Sequence, residues 1–237
     1  MSTTGPARPL FAYDGRLARV LLSVFQFFAV SVLFLLTALP AVMFDAAVSS
    51  AAAGRASHPA IWLGVLTALP IGPGAYAALS GMRDFIAERG YPGSPFRRFW
   101  KAFGAGAVQL RRMWAGSAGL GLLLAYNAAL YGASDRAFLA VMAGGALVAV
   151  AVVSVCCVAL QGVPGRPLAV LTLALHAAAA RPLAPLAWLA VLVAALAATQ
   201  LPLFGPNLAL FLPAACAWAI LSVNKAVGFD RKAAALA

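Results

Sequence analysis

The sequence predicts an all-α fold, a polytopic membrane helix bundle of about six transmembrane helices, and three observations carry that prediction. First, 64% of the 237 residues are hydrophobic and only 10% are charged, with a mean hydropathy of +0.94, whereas soluble domains are about half apolar and about a quarter charged. A soluble core cannot absorb that much apolar surface. Second, the apolar residues come in blocks of about 20, the length a helix needs to cross some 30 Å of hydrocarbon. These blocks are apolar all round rather than alternating, which sets aside the closed barrel, the other structure whose backbone is satisfied in lipid. Third, the 17 Lys and Arg residues fall almost entirely between and beyond the blocks.

The first block, 20–39, follows Arg8, Arg16 and Arg19. A basic start before an apolar stretch is also the pattern of a cleavable signal, but this block exceeds a signal's apolar core and further blocks follow, so an uncleaved first helix is expected. The second block, 61–82, carries Leu69-Pro70-Ile71-Gly72-Pro73-Gly74-Ala75-Tyr76 near its middle. Its two prolines remove amide donors and crowd the preceding turn, so the helix should kink or break halfway across the bilayer. Backbone groups freed at that depth must face protein or a water-filled cavity. Transporters bind substrates at such breaks, which makes Pro70, Gly72, Pro73, Gly74 and Tyr76 candidate transport or kink residues. The plainer reading is that Gly72, Gly74 and Ala75 let helices pack closely.

A helix follows over 95–112, with Pro95 suited to its first turn. Phe96, Trp100, Phe103, Ala107, Leu110 and Trp114 recur at helical spacing as one apolar face. Arg97, Arg98, Lys101 and Arg112 fall opposite. Such a helix should lie along the inner leaflet or pack under the bundle, and Phe96, Arg97, Arg98, Trp100, Lys101 and Phe103 are its candidate partner or lipid contacts. It serves either as an orientation anchor or as a docking surface for another protein. Spans three and four are expected at 113–131 and 138–160. A second horizontal helix, 168–181, follows Gly162-Val163-Pro164-Gly165, with Leu168, Leu171, Leu175 and Ala179 as one face. Spans five and six are expected at 183–204 and 207–223, the last kinked at Pro213. The order of outward-to-inward span, horizontal helix and inward-to-outward span thus occurs twice, suggesting two parallel copies related by an axis along the membrane normal.

Placing the N-terminus inside puts fifteen of the 17 Lys and Arg residues on the inner side and leaves only Arg55 and Arg136 outside. That asymmetry predicts a multi-pass protein of the cell (inner) membrane with both termini cytoplasmic. It also explains the net charge of +11 through orientation and anionic headgroups, with the lipid bilayer as partner and no nucleic acid required. Self-association into a homo-oligomer is compatible with the same pattern.

No expected span centre contains Asp, Glu, Lys, Arg or His, which argues against ion-coupled pumping. The six acids, Asp14, Asp45, Asp84, Glu88, Asp135 and Asp230, are scattered, and His58 and His176 fall on opposite sides, so no acid–base pair or metal set is in view. Cys156, Cys157 and Cys216 lie in spans without ligand spacing and read as small packing residues. Gly72-Pro73-Gly74 lacks the Lys-Ser/Thr pair of a phosphate cradle. A non-enzymatic protein is expected, with no catalytic, cofactor-binding or metal residues. Tyr126, Asn127, Thr199 and Gln200 are read as interhelical bonds or interfacial anchors.

Residues 31–40 (SVLFLLTALP), 69–79 (LPIGPGAYAAL) and 96–103, with Phe99-Trp100-Lys101-Ala102-Phe103 at its heart, together with Arg181-Pro182-Leu183, form a combination that resembles the YesL-like family of small bacterial membrane proteins. The resemblance covers most of the chain. It departs from the family at Ser31, where members often carry Asn, and over 41–60, which reads as an inserted outer loop. It implies, by association with carbohydrate uptake systems, a non-enzymatic accessory or regulatory component working with sugar ABC transporter subunits. The alternative is a small-solute transporter or channel using the broken second span.

Overall fold

A computed structural model describes residues 16–50, 57–88, 90–91, 93–131, 135–162, 167–202 and 205–236. The regular elements are helices: α1 (Arg16–Ser50), α2 (His58–Ala68), α3 (Ile71–Ala87), α4 (Pro95–Gln109), α5 (Arg111–Tyr131), α6 (Asp135–Ala159), α7 (Pro167–Ala180), α8 (Leu183–Thr199), α9 (Gly205–Ala209), α10 (Leu212–Val227) and α11 (Phe229–Leu236). Four stretches, Leu17–Ser49, His58–Ala87, Arg111–Tyr131 and Asp135–Ala159, are long and apolar enough to cross a membrane. Two bent pairs, α7 with α8 at 94° and α10 with α11 at 73°, bring the number to as many as six where each pair counts as one span. The all-α membrane bundle expected from composition is the fold.

Small residues on the broken span α2–α3 set the packing. Phe44, Thr37 and Val30 of α1 press on Gly64, Gly74 and Gly81 in that order, so α1 runs antiparallel to α2 and α3 with its side chains seated where a Cβ would intrude. On the same α1, the Ser31 hydroxyl accepts a hydrogen bond from the Ala214 amide at 3.0 Å. It thereby caps the first turn of α10, whose amides have no partner of their own.

Several expected boundaries shift. The region 41–60, read as an outer loop, is helical to Ser50 and again from His58, while 51–56 lie outside the described residues. Ala, Met and Phe carry the helix past Pro40, and Phe44 is held on Gly64. Span six opens at Leu212, not 207, and runs to Val227, with α9 a separate short turn before it. Pro213 therefore sits in a first turn, where its missing amide costs no hydrogen bond and no kink is needed. Span five closes at Thr199 instead of 204. Helix α11, absent from the sequence reading, lies across the end of α10 against α7.

The two short helices form where expected but differ in disposition. Helix α7 turns by 94° into α8, the horizontal arrangement. Its buried side carries Val170, Ala174 and Ala177, while Leu168, Leu175 and Ala179 of the expected face are exposed. Both sides of α7 are apolar, so periodicity could not choose, and the small residues won because they permit close approach to α6 and α11. Helix α4 instead lies lengthwise along α3, the most extensive helix pairing among the described elements. The expected second horizontal helix is therefore not repeated in α4, and the two short helices pack differently.

A tight-contact test follows from the glycines. A Cβ on Gly72 would stand 2.8 Å from the Trp114 ring, whereas one on Gly104 would meet nothing within 4 Å. Gly72→Leu is expected to cost about 1–3 kcal/mol by overpacking, and Gly104→Ala nothing or a slight gain. Thermal unfolding in mild detergent reads both; equal melting temperatures for the two variants would contradict the contact.

Candidate functional site

The break in the second span is built by proline chemistry. Pro70 and Pro73 have no amide hydrogen, so the carbonyls of Leu66 and Leu69 lose their usual i+4 donors. Leu69 compensates in part by donating to Leu66 at 3.3 Å in a tightened turn, and Gly74 restarts the ladder by donating to Pro70 at 3.0 Å. The helix breaks where the sequence predicts, and what fills the break is Trp114 of α5. Its ring lies over Gly72, and its Nε1 donates to the Gly106 carbonyl at 3.2 Å. Gly106 in turn meets the ring of Tyr76. A second discontinuity, at Leu110 between α4 and α5, stands beside the first. The neighbouring hollow, about 260 Å³, has an apolar wall relieved by Ser117. The candidate residues Gly72 and Tyr76 are thus brought together with Gly106 and Trp114, and Gly74 is covered by Thr37.

Helix α4 runs back along α3 in antiparallel register. Arg98 donates to Glu88 at 2.8 Å and lies 3.6 Å from Asp84; Gly106 meets Tyr76, and Trp114 meets Gly72. As numbers rise on one side they fall on the other. The expected apolar stripe is split by this packing. Phe99 is 1% exposed and Leu110 and Trp114 are buried, whereas Phe96 and Trp100 are 52% and 46% exposed. The buried line is Phe99, Gly106 and Leu110, with Ala102 and Phe103 packed against it, because α3 accepts the side of α4 that carries small residues. Phe96, Trp100, Arg97 and Lys101 share the outward side, with Trp100 edge-on to Phe99 and Phe103 at 5.7 and 5.3 Å.

This register carries charge into the middle of the bundle. Arg111 and Arg112 open α5 and are both exposed, just before the tryptophan that covers Gly72. Gly72 lies about 17 Å along the α3 axis from Arg83 and Asp84, the first charged residues toward its basic end. Sequence reasoning placed Arg111 and Arg112 with the other basic residues beyond the apolar layer. They are displaced from that level because α4 doubles back instead of turning sideways.

The interior polar node was missed. Trp188 Nε1 of α8 donates to Asn224 Oδ1 at 2.8 Å, and Asn224 Nδ2 donates to Cys157 Sγ of α6 at 3.1 Å. Phe229 of α11 stands edge-on to Trp188 at 5.1 Å. All four side chains are almost fully buried, so one asparagine ties α6, α8 and α10 together, and Trp188 adds α11 through Phe229. Its signal was present, a carboxamide one turn from the end of an apolar run, but the expected span stopped at 223. Of the other polar residues, Tyr126 pairs with His58 at 3.0 Å, Thr199 donates to its own helix at Leu196, and Gln200 donates to Thr199.

Compared with known protein families, curated proteins and solved structures, the chain matches none. Function must then be argued from the site itself.

Replacing Asn224 by Leu leaves the buried Trp188 indole N–H without an acceptor and is expected to destabilise by about 1–3 kcal/mol. In a double-mutant cycle with Trp188→Phe, read by detergent unfolding, the two losses should fall short of additive. Full additivity would show that the 2.8 Å bond does not couple the helices.

Proposed function

We propose that this chain is a non-enzymatic membrane component that docks another membrane protein through the outward side of α4 and the opening of α5. One observation carries the reading: Arg111 and Arg112 face outward beside the break, at the level of Gly72. A charged side chain facing lipid tails at such depth is costly, and protein or water normally covers it. The distance to the basic end exceeds what an arginine can cover by snorkelling. Phe96, Trp100 and Val108, exposed along the same helix, supply apolar and aromatic contacts of the kind that anchor interfaces. The matching partner therefore carries acidic or carbonyl acceptors at mid-membrane depth and an apolar surface below them.

The resemblance noted in the sequence supports naming the partner class as a subunit of a carbohydrate ABC-type importer, with this chain as an accessory or regulatory element of the inner membrane. The broken second span gives less support to solute passage, since Trp114 occupies the break and the hollow beside it is apolar.

The test is affinity purification of the tagged chain from its native membrane in mild detergent, with mass spectrometry of what accompanies it. Importer permease or ATPase subunits are expected with the wild type, reduced about tenfold or more for Arg111→Ala/Arg112→Ala and for Arg97→Ala/Trp100→Ala/Lys101→Ala, the loss of a few kcal/mol typical of interface anchors. A cysteine introduced at Val108 should cross-link to the same subunit. Undiminished recovery of the partner with both sets of substitutions would overturn the docking role of α4.

A further inference from the structure

At the basic end of the bundle, between α10 and its neighbours α3 and α11, two hollows adjoin. The first, about 560 Å³, has apolar walls from Ile86, Trp218 and Leu221 and is edged by Arg83, Lys225 and Asp230. The second, about 420 Å³, shares Lys225 and adds Arg181, Arg231 and Lys232. Five cations thus border the pair against one acid among the lining residues. Arg83 is engaged by the Leu160 carbonyl and lies 3.5 Å from Asp84. The side chains of Arg181, Lys225, Arg231 and Lys232 have no hydrogen-bond or ion-pair partner among the described residues. Asp230 is held aside by Gln161, whose Nε2 donates to it at 3.2 Å, and burial pushes its carboxyl above the ordinary aspartate value.

We infer that this notch is a binding site for an anionic phospholipid of the inner leaflet, its phosphate held by Lys225 with Arg231 and Lys232 and its acyl chain lying against Trp218 and Leu221. Three features point to a lipid as the occupant. The walls beyond the charges are apolar and exposed, with Trp218 45% accessible, so the notch presents a surface for a chain as well as for an anion. The charge is complementary to a phosphate and unmet by the protein. Basic hollows between helices at the cytoplasmic side are where polyanionic headgroups bind, each nearby cation contributing about fivefold in affinity. The inference is independent of the docking reading, since no residue of α4 or α5 lines either hollow.

The purified full chain in mild detergent, titrated with cardiolipin, phosphatidylglycerol or phosphatidylethanolamine and examined by native mass spectrometry, tests it. Cardiolipin and phosphatidylglycerol are expected to bind at least about tenfold tighter than phosphatidylethanolamine. Lys225→Gln/Arg231→Gln/Lys232→Gln should abolish that preference, Asp230→Asn should strengthen it, and Arg97→Gln/Lys101→Gln, which removes two cations elsewhere, should leave it unchanged. Should the triple variant fail to fold, a photoreactive benzoylphenylalanine at Trp218 keeps the question open to an answer, since it should cross-link the anionic lipid in preference to the zwitterionic one. Equal binding of all three lipids, an unchanged preference in a folded triple variant, or no lipid cross-link at Trp218 would overturn the site. Displacement of the lipid by millimolar inorganic phosphate would assign it to a soluble anion instead and overturn the lipid.

Discussion

Two helices that break at the same level must somehow fill the gap they leave, and in this protein a single indole does so. Pro70 and Pro73 open the second span in the apolar layer, where unpaired carbonyls have no water to turn to. Trp114 lies over Gly72 and donates to Gly106, which itself presses on Tyr76. Only glycine at positions 72 and 106 permits this approach, since a Cβ at either would stand 2.8 Å from a ring. The rest of the first half depends on the clamp. It holds α4 lengthwise on α3, sets where α5 begins, and so determines the depth of Arg111 and Arg112.

The second half is held by a different device at a different level. Asn224 accepts the Trp188 indole N–H and donates to Cys157, which joins three helices near the basic end, and Trp188 in turn seats α11 through Phe229. Not every buried polar group is matched: Gln26 Oε1 and Ser154 Oγ have no partner among the described residues, a cost the surrounding packing must offset. Ser31 links the two halves, its hydroxyl oxygen accepting the Ala214 amide in the first turn of α10.

What the sequence made legible follows from the strength of each physical signal. Composition settled the fold class, because no soluble core accommodates this apolar fraction. Proline located the interruption to within a turn or two, because a missing amide acts locally: the helix lapses between Ala68 and Ile71. Amphipathic periodicity did less well. On α4 it grouped Phe96 and Trp100 with Leu110 and Trp114, yet the bundle buries Phe99 and leaves the first two outside. A membrane protein has two apolar surroundings, protein and lipid, and hydrophobicity cannot distinguish them; small residues such as Gly106 and Ala174 mark the protein side better. Asn224 and α11 were missed because a polar residue at the end of a span looks like a boundary.

The same ambiguity applies to charge, and here structure separates roles that counting had merged. A tally of Lys and Arg treats all fifteen inward residues as orientation signals. Arg98 is consumed in a pairing with Glu88 and Asp84 that fastens α4 to α3. Arg83 braces the end of α6 through the Leu160 carbonyl. Lys225, Arg231 and Lys232 line one hollow, which shares Lys225 with an apolar-walled neighbour, while Arg111 and Arg112 sit beside the clamp, away from the other cations. Orientation needs only that cations lie on one side; it does not require a pair of them at mid-bundle, nor a ring of them around a cavity. Those two placements are the excess that orientation leaves unexplained, and each sits where a second molecule, protein in one case and lipid in the other, would meet charges the chain itself does not neutralise.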